Sequence, residues 1–118
     1  MLDAHHVNAF LVIAVCLVAS GAAFLARRRR RGAGRVVAQA LALAQTLLVA
    51  QVAMGLLLLS EHKRAADRLH YAYGTFALLA VLSPWLYAPA EPRARLLWFA
   101  VATLVAAALG VRAYMTAT

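Results

Sequence analysis

Val7 to Arg31 reads VNAFLVIAVCLVASGAAFLA followed by RRRRR. Twenty uncharged residues are about the length a helix needs to cross the hydrocarbon core of a bilayer, and the five arginines that end the run mark where it stops. Two further uncharged runs are as long, Val36 to Ser60 and Leu69 to Ala90, while Leu96 to Val111 is shorter. Arg95 and Arg112 flank this last run and can snorkel toward headgroups, and Trp98 and Tyr114 stand where interfacial aromatics are expected, so it is predicted as a fourth span. A chain of this length has too few alternating segments to close a barrel, and lipid tolerates no open sheet edge. The expected fold is therefore all-α, a transmembrane antiparallel four-helix bundle forming one domain over residues 1–118, with spans near 7–26, 36–60, 69–90 and 96–112.

Composition agrees. Of the 118 residues 65% are hydrophobic and only 14% charged, where a soluble domain has about a quarter of its residues charged. This excludes a soluble enzyme, a disordered tail and a secreted disulfide scaffold. The lone Cys16 lies inside the first run and reads as a small buried residue.

The net charge of +8 invites a nucleic-acid reading, but the basic residues lie between apolar runs and no aromatic platform or recognition helix accompanies them. No nucleic-acid partner is expected. Arginines trailing the first run hold its C-terminal end in the cytoplasm, which puts both chain termini outside. Eight Lys or Arg then fall on the inner side and four on the outer. A reversed charge polarity also argues against a cleavable signal peptide. The expected location is a bacterial plasma membrane, crossed several times.

All four histidines fall at the outer end. His62 sits in the charged stretch Glu61-His62-Lys63-Arg64 and reads as a loop residue. His5 and His6 point about 100° apart on a helix, so one at most faces the bundle centre. His6 is one residue deeper and shares a face with Phe10, Ile13 and Leu17, which makes it the choice, with His5 as the fallback. His70 lies one turn above Gly74, which leaves a bare helix surface for a large flat ligand. Gln51 and Gly55, four apart on the second span, complete the candidate set: the glycine permits close packing, and the amide must find a partner in lipid.

Two histidines at one depth on facing helices suit haem b, with apolar side chains around the macrocycle and Arg64 and Arg68 placed to pair with its propionates. Zinc or copper would want a third or fourth donor. Pro84 is expected to kink the third helix near its inner end.

The order of these features resembles one four-helix half of the haem A synthase family. The match runs through Asp3-Ala4-His5-His6, the basic turn Arg27 to Arg31, Gln51-Val52-Ala53-Met54-Gly55, and Leu69-His70-Tyr71-Ala72-Tyr73. In that family an acidic residue precedes the first histidine by three, a Gln-x-x-x-Gly element marks the intervening helix, and Leu-His opens the next. The resemblance implies that His6 and His70 are axial haem ligands. Departures accompany it: one half where the family has two, ligands on the first and third helices where the family uses the second and fourth, Asp3 in place of glutamate, and no external cysteine pair.

Three functions compete on these grounds. One is a small b-type haem protein for electron transfer or haem handling linked to respiration. Another is a haem A synthase-like enzyme or oxidase assembly factor, for which a homodimer would restore the eight-helix arrangement. The last is a cofactor-free accessory subunit of a larger respiratory complex.

Overall fold

A computed structural model describes residues 2–29, 34–62 and 68–116. They form four helices: α1 (Leu2–Arg28), α2 (Gly34–Ser60), α3 (Leu69–Tyr87) and α4 (Pro92–Thr116). Three of them, α1, α2 and α4, are long and apolar enough to cross a membrane. The molecule measures 48 × 23 × 19 Å, and its long axis matches a bilayer of about 40–45 Å with its headgroups.

The helices overrun the uncharged runs because a charge does not end a helix. Backbone chemistry does. At α4 the start lies four residues before the expected one: Pro92 supplies a preset φ at the first helical position, and the Glu91 carboxylate accepts the N–H groups of Arg93 (3.0 Å) and Ala94 (2.6 Å). These two bonds hold the exposed Glu91 carboxyl below its usual range. The span expected to be the shortest is thus a 25-residue helix. α3, expected to qualify directly, is the shortest at 19 residues and is not among the three membrane-length helices. Its N-terminal half carries His70, Tyr71, Tyr73 and Thr75, and it stops at Tyr87 instead of Ala90 because Ala88, preceding Pro89, is extended (φ −65°, ψ 139°).

Pro84 lies inside α3 and is buried. Proline has no N–H to give the Ala80 carbonyl four residues back, and the Ser83 hydroxyl donates to that carbonyl instead (2.7 Å).

α4 packs along both α1 and α3, and α2 packs mainly on α1, touching α3 only sparsely. The interior is rich in small side chains, with Cys16, Ala19, Ala23, Ala44, Ala77, Ala100 and Ala106 buried alongside Val12, Leu41, Leu48, Val81, Leu96 and Phe99. Phe10, Val18, Val36, Leu56, Phe76 and Leu86 face outward. Lipid tails are as apolar as leucine, so large residues gain nothing by turning inward, whereas small ones let helix backbones approach. Ser20 ties α1 to α4 by donating to the buried Ala100 carbonyl at 2.7 Å. Ser20→Ala is expected to cost about 1 kcal/mol of stability in detergent, read from the thermal unfolding midpoint.

Candidate functional site

The start of α1, the end of α2, the start of α3 and the end of α4 meet around a cavity of about 560 Å³. It exists because α2 and α3 scarcely touch there. Its volume falls within the roughly 300–1,000 Å³ of ligand and cofactor pockets. Val12, Leu48, Val52 and Ala77 give it apolar walls, and His5, His6, Gln51 and His70 supply polar groups.

Of the adjacent pair, His5 faces the interior, only 8% exposed, and His6 is half-buried at the cavity wall. This reverses the order of choice made from the sequence. Phe10 and Leu17, whose face was used to select His6, are about half exposed. The inward face of α1 is His5, Asn8, Val12, Cys16 and Ala19, a stripe at spacings of three and four built from polar and small residues.

His5 is held by a chain of hydrogen bonds. Asn8 Nδ2 donates to the Leu47 carbonyl (3.0 Å) and to Gln51 Oε1 (3.0 Å), and Gln51 Nε2 stands 3.5 Å from His5 Nε2. The carbonyl can only accept, which fixes the Asn8 amide; Asn8 then fixes the Gln51 amide, whose N–H faces His5 Nε2. His5 Nε2 is therefore the unprotonated nitrogen, approached only by one long contact. Its Nδ1 is buried and has no hydrogen-bond partner. Asn8→Leu removes the donor from both the Leu47 carbonyl and Gln51, with an expected cost of about 1–3 kcal/mol measured by thermal unfolding.

His70 is fixed from the other side of the cavity. Its Nδ1 lies 2.6 Å from the Ala113 carbonyl of α4 and must carry the proton it donates there, so His70 Nε2 is also unprotonated. A backbone carbonyl on the second ring nitrogen is the usual support of a metal-binding imidazole. The His5 and His70 ring centroids are 6.3 Å apart with planes at 79°. Two imidazoles that each place a nitrogen about 2 Å from a shared metal have centroids about 6 Å apart. Two imidazole donors, apolar walls and a cavity of this size fit haem b, in which the porphyrin provides four donors and the protein two. Among the described residues no group of three or more His, Cys, Asp or Glu side chains converges as a zinc site would need.

Both glycines chosen from the sequence line the cavity. A Cβ at Gly55 would stand 3.4 Å from His5 Cε1, so this glycine is the seat of the His5 ring. A Cβ at Gly74 would meet nothing within 4 Å and would point into open space. Arg68 is exposed just before α3 and does not line the cavity, and Arg64 lies outside the described residues. Arg112 is likewise exposed and outside the cavity lining, its guanidinium 5.5 Å from the centre of the Tyr73 ring. His62 is exposed in the turn after α2, with a left-handed φ of 63°, in keeping with a loop role.

Sequence reasoning missed Asn8 and Ala113. Asn8 had a legible signal, an amide three residues from His5 in an otherwise apolar run. Ala113 had none, since it acts through its backbone. No family model, curated protein or solved structure matches the chain.

Proposed function

We propose that this protein is a small multi-pass membrane haem protein in which His5 and His70 hold haem b near the outer face, serving electron transfer or haem handling linked to respiration. The observation that carries the reading is the pair of imidazoles whose ring centres stand 6.3 Å apart at the cavity, His70 with an unprotonated Nε2 set by the Ala113 carbonyl and His5 with an Nε2 that would exchange its long contact with Gln51 for the metal. Haem b between two imidazoles supplies one-electron transfer and leaves no coordination position for a substrate.

The chain's own groups have defined tasks in this scheme. Ala113 holds the His70 ring in orientation and tautomer, Gly55 lets the His5 ring lie against α2, and the open space above Gly74 accommodates the flat group. Under this reading the likeness to the haem A synthase family is a likeness of the haem site. The proposal includes an antiparallel bundle in a bacterial plasma membrane with both termini outside. It is supported by the contacts that join the start of α1 to the end of α2, and the start of α3 to the end of α4.

The test is the visible spectrum of the detergent-purified protein from haem-replete cells, oxidised and then reduced with dithionite. Sharp reduced α and Soret bands are expected. A colourless preparation overturns the proposal.

A further inference from the structure

The other end of the molecule carries a second constellation. Six arginines stand there among the described residues, Arg27, Arg28, Arg29, Arg35, Arg93 and Arg95, against one carboxylate, Glu91. Both Glu91 oxygens are already taken by backbone N–H groups, so this carboxylate is committed to capping α4. Arg95 is occupied as well: its guanidinium lies 5.6 Å from the Trp85 ring centre and 5.4 Å from that of Phe99. Arg93 reaches across to the Arg27 carbonyl at 3.5 Å, which brings the ends of α4 and α1 together, and Arg27 Nε has no hydrogen-bond partner among the described residues.

Beside this end an apolar groove of about 390 Å³ runs between α3 and α4. Ala80 and Ser83 line it from α3, and Leu97, Trp98, Val101 and Ala102 from α4. Arg93, Leu97 and Val101 follow one another at intervals of four, so the guanidinium-bearing residue continues the stripe that forms the groove wall. An apolar groove with one wall on α4, a helix long enough to span a bilayer, has the chemistry to seat an acyl chain, and an excess of guanidinium groups at its end favours an anionic head.

We propose that Arg27, Arg93 and the α3–α4 groove form a binding site for an anionic phospholipid, its phosphate on the arginines and one acyl chain between α3 and α4. This site lies at the opposite end from the histidine cavity and is independent of the haem reading.

The experiment is native mass spectrometry of the full chain released from detergent, with dioleoyl phosphatidylglycerol, dioleoyl phosphatidylcholine or inorganic phosphate added in turn. Phosphatidylglycerol adducts are expected to exceed phosphatidylcholine adducts by about 25-fold, since each of the two arginines near the headgroup contributes about a factor of five. Arg27→Gln with Arg93→Gln should bring the two lipids level, and Arg68→Gln with Arg112→Gln, at the other end, should leave the preference intact. Ala102→Leu fills the groove and should weaken both lipids with helicity by circular dichroism unchanged. Phosphate alone should give no retained adduct. Equal binding of the two lipids by the unaltered chain, an unchanged preference in the Arg27/Arg93 variant, phosphate adducts as strong as lipid adducts, or a dimer that Ala102→Leu dissociates would each overturn the site.

Discussion

His70→Ala and His5→Ala are each expected to abolish the reduced α band of the purified protein, while His6→Ala retains it. His70 presents one nitrogen to the cavity because the other donates to the Ala113 carbonyl at 2.6 Å, and alanine removes both. His5 is the buried member of the adjacent pair and faces His70 at 6.3 Å. His6 lines the same cavity from a helix position about 100° away. Haem content per chain, measured against protein by the pyridine haemochrome, reads the result. A band lost in His6→Ala and kept in His5→Ala would mean that α1 presents its other face when loaded, and would refute the assignment of His5. Gln51→Leu belongs to the same series with the opposite sign: Gln51 Nε2 stands 3.5 Å from the same His5 nitrogen that would ligate, so leucine frees that lone pair and haem content is expected to hold or rise.

Gly74→Phe is expected to eliminate haem uptake while leaving the four helices in place. Gly74 lines the cavity and a Cβ there meets nothing within 4 Å, so a side chain at this position has room to grow toward the space the flat group would use. In lipid the phenyl ring gains packing contacts but no hydrophobic transfer energy by turning inward, so the unfolding midpoint should hold as haem is lost. Circular dichroism and the haem-to-protein ratio on one preparation separate this from misfolding. Gly55→Ala is the contrasting case. Its methyl meets His5 Cε1 at 3.4 Å, an ordinary van der Waals contact, so the ring keeps its place and the cavity is left open, and haem is expected to be retained. Full haem occupancy in Gly74→Phe would place the ligand elsewhere.

Much of this architecture was legible along the chain. The uncharged runs bounded by arginines marked all four helices, because desolvating a guanidinium costs more than any local packing returns. The histidines, Gln51 and the two glycines could be assigned to one end because rise per residue fixes depth once the spans are known. Helix ends were less legible, since the Glu91 cap, Pro92 and the pre-proline Ala88 act through backbone geometry, which hydropathy does not record.

Facing was the property that the chain order could not supply. A stripe of Phe10, Ile13 and Leu17 would mark the core side of a soluble helix, but in lipid such residues lie equally well outside, and α1 turns His5, Asn8 and Cys16 inward. The role of α4 likewise arises in three dimensions. Its Ala113 carbonyl sets the tautomer of a histidine 43 residues earlier, through a contact that exists only when the start of α3 lies beside the end of α4. Spans, depths and the inventory of polar groups are properties of composition along a line; which nitrogen faces which carbonyl depends on how four helices rotate against one another.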